Sequence, residues 1–323
     1  MQPHNILTST DSHKIIAMYT STGDLCTALL AEIVESAPDD TTVIQEAVRK
    51  VARHLLDAPP IPDDHDGPRT GSPAGDAWYE FISFVYMTAM STAEDKIHQG
   101  LSHLLVALAQ TAPNSAGSTT TETDDDPSKV TEVAALFRNL EGFGCAAREY
   151  WNGPKTLHVP QPQADAMYTN LNRFIAHLSN HHRQTSVPVA ALRSWLEDFG
   201  LWTITDGLEY RSATQLSQFS EPAAAWLIVA GQEIFRDKTW GGRDGVIEEG
   251  RGLVREGPLW SNELEKSEEA EAGAGTDGCE EDVRWAFWKK RLGEIALDGR
   301  LCASVRDAAG VAGEAMRCVG RGG

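Results

Sequence analysis

Trp285, Trp288, Leu292 and Ile295 follow one another at intervals of three, four and three residues, and the same rhythm returns along most of the chain. Apolar side chains so spaced share one face of a 3.6-residue helix, and a helix with one apolar face must bury it against another element. The rhythm recurs in Ile44, Val48, Val51 and Leu55; in Trp78, Phe81, Ile82, Val85 and Tyr86; and in Ile97, Leu101, Leu104 and Leu108. Beyond these it continues through Met167, Leu171, Phe174 and Leu178, then Val189, Leu192, Leu196 and Phe199, then Trp226, Leu227, Ala230, Ile234 and Phe235. The sequence holds no run of alternating apolar and polar residues between turn signals, and no fixed-period repeat. The expected fold is all-α: one domain of about ten helices, with no sheet.

Start and stop signals divide the pattern. Thr42 with Gln45, and Ser91 with Glu94, have the spacing of capping boxes. Pro188 stands before one stripe and Gly200 after it, and Pro222 suits the first turn of another helix, where its missing N–H costs little. Stretches rich in Pro, Gly, Ser, Thr and acids have too little to bury to offset the entropy of ordering, and disordered insertions are expected near 59–75, 111–130 and 240–282. Within the last, Ser261 to Asp282 holds nine acids and one base, Lys266, and reads as a linker. The expected domain runs over residues 12–316, with residues 1–11 and 317–323 as flexible ends.

A hydrophobic fraction of 41% over 323 residues is enough for a sizeable core. The 47 acids against 28 bases leave a net charge of −19, which repels phosphate backbones and anionic headgroups, so neither nucleic acid nor membrane is an expected partner. The most apolar run, Ala223 to Ala230, falls far short of the roughly 20 residues a spanning helix needs. Met1 to Thr10 lacks a basic stretch leading into an apolar one. Five scattered cysteines with no Cys-x-x-Cys pair suit a reducing compartment. The expected location is intracellular, the cytoplasm first and the nucleus as the alternative.

The motifs that carry chemistry are incomplete. Gly273, Gly275 and Gly278 spell a dinucleotide-binding turn, but Glu268, Glu269 and Glu271 precede them where an apolar strand belongs. Gly142, Gly144 and Ala147 follow a helical stretch and read as a helix-ending turn. Asp64, Asp66 and Gly67 fit part of a calcium loop, yet Pro62 and Pro73 occupy two of its ligand positions. His177 and His181, with His182 beside them, have the i, i+4 spacing of a metal pair; protonated imidazole at a helix C-terminus is the favoured reading, and no metal or other cofactor is expected. His98 and His103 are five apart and point to different faces. Cys145, beside Ala146 and Ala147, is expected to be buried rather than nucleophilic. Lys289, Lys290 and Arg291 are expected on the wet side of their helix. The tryptophans are expected in the core, with Arg284, Trp285 and Trp288 as the candidates for the wall of an aromatic ligand pocket.

Several stretches resemble a fungal family filed as domain of unknown function 3632: Asn170 to Leu178, Ala191 to Asp198, Ala223 to Phe235, Val283 to Ala296 with the Ala-rich segment ending at Met316, and the turn Leu140 to Trp151. Together they span roughly Trp78 to Met316. The resemblance implies a helical, intracellular protein and brings no catalytic residue with it. The Gly- and Glu-rich segment between Trp240 and Asp282 departs from the family pattern. With no complete catalytic constellation, the expected function is a non-enzymatic interaction or scaffold protein that binds another protein. The alternative is a small-molecule binder or enzyme with an aromatic pocket between helices.

Overall fold

The computed structural model describes residues 20–36, 40–58, 72–111, 126–151, 159–185, 190–210, 212–237, 257–263 and 280–319. Among them every regular element is a helix and no strand occurs. The expected insertions fall largely outside this set, as do the partial calcium loop at Asp64, Asp66 and Gly67 and the glycines Gly273, Gly275 and Gly278.

The chain divides into two compact units, one from Met1–Phe174 and Gln184–Arg193, the other from Ile175–Arg183 and Ser194–Gly323. The first holds α1 (Thr20–Glu35), α2 (Thr41–Leu56), α3 (Pro73–Ser91), α4 (Asp95–Gln110), α5 (Pro127–Asn139), α6 (Phe143–Trp151) and the first half of α7 (Gln161–Gln184). Helices α1 to α4 pack on one another, α5 lies against α2, α3 and α4, and α6 against α3. The stripes read from the sequence are the buried faces: Ile44, Val48, Val51 and Leu55 on α2, Trp78, Phe81, Ile82, Val85 and Tyr86 on α3, Ile97, Leu101, Leu104 and Leu108 on α4. The large rings also satisfy their polar atoms, as burial requires. Trp78 stacks on Phe81 and donates its Nε1–H to the Glu141 carbonyl at 2.8 Å. Tyr86 stacks on Phe143 and donates its hydroxyl to the Phe143 carbonyl at 2.9 Å, while burial pushes that hydroxyl well above its ordinary pKa and keeps it protonated.

Neither capping box forms. Asp40 is the N-cap of α2, its carboxylate accepting from the Thr42 and Val43 N–H groups, so an acid just ahead of Thr42 takes the role read for Thr42 and Gln45. Ser91 closes α3 instead of opening α4, donating its hydroxyl to the Thr88 carbonyl. Helix α5 starts at Pro127 under an Asp126 cap, inside the stretch expected as an insertion. The turn after α5 is as read: Leu140 (φ 42°) and Gly142 (φ 71°) adopt the left-handed conformation that ends a helix. Cys145 is exposed on α6 rather than buried, because Ala146 and Ala147 supply the inward face there.

The second unit holds α8 (Ala190–Leu208, less its first residues), α9 (Ala213–Asp237), a short α10 (residues 258–263), α11 (Glu280–Leu297) and α12 (Ala303–Val319). Helix α12 packs along α9 and α11, where Ala309, Ala312 and Gly313 allow a close approach. One start signal and one stop signal are overridden. Pro222 sits inside α9, because the turns before it are held by buried Leu216 and by Ser220, whose hydroxyl donates to the Gly207 carbonyl at 3.2 Å. Gly200 lies inside α8, where a Cβ would meet the Trp226 ring at 2.9 and 3.0 Å. It serves contact rather than termination. No helix among the described residues is long and apolar enough to cross a membrane.

Replacing Gly200 with Ala improves helix propensity by about 1 kcal/mol, but the clash with Trp226 should cost more, for a net loss of about 1–2 kcal/mol. Urea unfolding of G200A checks this; a stabilised variant would mean that α8 and Trp226 are not in contact.

Candidate functional site

A buried polar cluster lies where α8 ends. Glu209 follows the last residue of α8, continues its hydrogen bonding through its N–H to the Thr205 carbonyl at 2.9 Å, and is fully buried. A carboxylate there meets the negative end of the helix dipole in a low-dielectric interior, which is unfavourable unless cations and donors surround it. Helix α11 supplies them from positions i, i+4 and i+7, which share one face. Arg284 donates to Glu209 Oε1 from Nε at 2.9 Å and from Nη2 at 2.8 Å, and Trp288 donates its Nε1–H to the same oxygen at 2.7 Å. Arg291 donates from Nε to the Leu208 carbonyl at 3.2 Å, capping the helix end.

The other carboxylate oxygen is taken by the chain just before α10. The Gly257 N–H donates to Oε2 at 2.7 Å, and the Leu259 N–H donates to the Glu209 backbone carbonyl at 3.0 Å. Only glycine fits at 257, since a Cβ would lie 2.3 Å from Glu209 Cβ and 2.8 Å from its carbonyl oxygen. Pro258 then begins α10 at a position where its missing N–H costs nothing. Trp260 is buried, with its ring 5.6 Å from Phe287 and 5.7 Å from the Arg284 guanidinium, which also lies 5.3 Å from the Trp288 ring. Arg284 is thus flanked by two indoles, a favourable setting for a desolvated cation. Burial pushes the Glu209 carboxyl up from its ordinary pKa, and the Arg284 charge, the Gly257 N–H and the Trp288 indole all pull it back.

The three pocket candidates are therefore neighbours in the core. Arg284 and Trp288 bond Glu209, while Trp285 is buried 5.0 Å from Phe235 and 6.4 Å from Trp288, ring to ring. His177 and His181 lie in the last turns of α7, half-buried, and His182 is buried.

The adjoining face of α11, which shares Arg291 with this cluster, borders an open groove of about 860 Å³. Its apolar lining is Leu216, Leu259, Phe287, Ile295 and Leu297, and its polar rim includes Glu263, Lys290, Arg291, Glu294, Asp298 and Arg300. Asp298 turns the chain between α11 and α12. Its carboxylate accepts from Arg300 Nε at 2.8 Å, Arg300 Nη2 at 2.6 Å and the Arg300 N–H at 3.0 Å, which hold its pKa down at about 2. Sequence reading missed Glu209, one acid among 47, and α10, a Leu–Trp pair behind a proline inside an acidic stretch.

Removing one member of the buried pair leaves the other uncompensated. Glu209→Ala should destabilise the protein by about 3–5 kcal/mol, and Glu209→Leu combined with Arg284→Met should recover much of that loss. Urea unfolding of the variants checks it; equal losses would refute a paired charge. The depressed Asp298 carboxyl contributes stability above the ordinary value of 3.8, and that contribution is lost as pH falls through about 2. NMR titration of the Arg300 amide should show its midpoint near that lower value and no such step in Asp298→Asn.

No curated protein and no solved structure matches the chain. One family pattern does, over residues 78–292, which include both the Trp78 cluster of the first unit and the Glu209, Gly257 and Arg284 positions of the second. The matched residues make up about two thirds of the 323, and the chain belongs to the family described as protein of unknown function (DUF3632).

Proposed function

We propose that this chain is a protein-interaction module without chemistry of its own, and that the groove of the second unit receives its partner. The observation that carries the reading is the make-up of that groove. Its floor of Leu216, Leu259, Phe287 and Ile295 is apolar, and Leu297 stands beside it 87% exposed.

The rim charges are already matched in pairs. Lys290 lies 3.4 Å from Glu263, Arg291 binds Glu294, and Arg300 lies 2.6 Å from Asp298. Exposed pairs of this kind contribute about 0–1 kcal/mol each and leave no excess of either sign to select a charged ligand. On a chain of net charge −19, the groove is then a place where apolar area decides binding. The matching occupant is an amphipathic helix that lays Leu- or Phe-type side chains along Leu297 and the floor, with its own charges kept to the rim. The Glu209 cluster supports the non-enzymatic half of the reading, since both carboxylate oxygens are bonded internally. Arg284, Trp285 and Trp288 act here by fixing α11, one wall of the groove. Among the described residues the free thiols of Cys26, Cys145, Cys302 and Cys318 support the cytoplasm as its place.

The volume of the groove favours a second reading, a small apolar ligand, because pockets for such ligands run from about 300 to 1,000 Å³. The test separates the two. A photoreactive residue at position 297 should crosslink one polypeptide, and that polypeptide, purified, should bind with a Kd weakened about tenfold or more by Leu297→Asp. Val311→Asp, at another exposed apolar position, should leave the Kd unchanged. Equal effects at both positions, or no binding between purified components, would refute the interaction reading; saturable uptake of a small apolar molecule blocked by Leu297→Asp would favour the second.

A further inference from the structure

Residues 257–263 touch both the buried carboxylate and the groove. On the inner side, the Gly257 and Leu259 N–H groups donate to the side chain and the backbone of one residue, Glu209, at 2.7 and 3.0 Å. On the outer side, Leu259, Asn262 and Glu263 line the groove. A helix of this length has no stability of its own, so α10 exists only while it is docked.

Its other contacts are made by side chains, with Leu259 and Trp260 both buried. Glu263 meets Lys290 at 3.4 Å in an exposed pair, and Trp260 is buried against Phe287 and the Arg284 guanidinium. The Trp260 ring brings a penalty with it, because its buried Nε1–H finds no acceptor among the described residues. Water would satisfy that donor as soon as the segment lifted, so the penalty falls on the docked state alone. The Glu209 carboxylate would meanwhile keep Arg284 and Trp288 as partners, which leaves the rest of the unit intact.

We infer that residues 257–263 form a movable wall of the groove, latched by Glu209, whose opening controls whether the groove holds a partner. The inference rests on the docking reading of that groove. Opening removes Leu259 from the floor and Glu263 from the rim, and with them much of one side of the site.

Hydrogen exchange on the full chain tests the movement without any partner. The amides of 258–263 should exchange by local opening, faster than the core amides of α11 and α12. Gly257→Ala, whose Cβ collides with Glu209, should speed exchange of 258–263 by about tenfold or more and leave α12 unchanged. Glu263→Gln, an exposed change that does not threaten folding, should speed it by about two- to threefold. Exchange of 258–263 at the rate of α11 and α12 in the wild type, or no change in either variant, would overturn the inference.

The partner identified through position 297 tests the control. Its Kd should weaken at least about fivefold in Gly257→Ala, since one wall of the apolar site is lost. Faster exchange with an unchanged Kd would overturn the gating role and leave the groove as the docking site. Failure of the wild type to bind the purified partner would instead remove the docking reading, and the gating role with it.

Discussion

A buried carboxylate at the C-terminal end of a helix is among the less favourable places to put a negative charge, and the second unit is organised around making it tolerable. Taking Glu209 and Arg284 out of water costs several kcal/mol per ion before any compensation. The compensation is geometric. One oxygen receives three N–H donors from α11 and the other a main-chain N–H from residue 257, so each element that meets the end of α8 does so through a donor aimed at the same group. Such pairs add less to stability than their number of bonds suggests, because desolvation offsets most of the attraction. Their larger effect is on register: a helix α11 rotated by one residue would carry Arg284, Trp288 and Arg291 away from α8 together.

That register also fixes the outer surface. Because Arg284, Trp288 and Arg291 face the helix end, Phe287, Lys290 and Glu294 are left to face the groove, with Leu297 exposed at the last turn. Arg291 belongs to both faces, capping the Leu208 carbonyl with one nitrogen and binding Glu294 with another. The groove is therefore built beside a rigid charge contact, with Arg291 shared between them. This arrangement suits a binding site, since the wall formed by α11 is ordered before any partner arrives and little entropy remains to be lost there.

The helical architecture was legible because it needs only periodicity. Trp78, Leu101, Phe174, Trp226 and Trp288 are buried where the stripes place them. Single-residue signals failed where tertiary contact outweighed local preference. Gly200 and Pro222 both resemble helix ends, yet one is needed for the approach of Trp226 and the other is carried by packing on either side. Asp40 and Asp126 cap helices as acids do, but differences of a residue or two among Ser, Thr and Asp cannot be settled by spacing. The site was legible only in half. Arg284, Trp285 and Trp288 stood out as rare residues in a periodic segment, whereas Glu209 has no local mark. Its partners lie 48 to 79 residues away, and only the fold brings them together.

The same distance in sequence explains why α10 is both small and consequential. A segment with an acidic flank and one Leu–Trp pair cannot form a helix on local grounds, so its structure is borrowed from Glu209 and, through Trp260, from Phe287 and the Arg284 guanidinium. A helix too short to form without its tertiary contacts sits at the low end of a protein's range of local stabilities, since it opens whenever those contacts are lost together. A groove with one wall of this kind and one wall fixed by a buried ion pair has unequal sides. Adjustment to an occupant is then confined to residues 257–263, while Phe287 and Ile295 on α11 keep their positions. On the proposed reading, the surface that recognises and the segment that yields are thereby separated, although both are fastened to the same carboxylate.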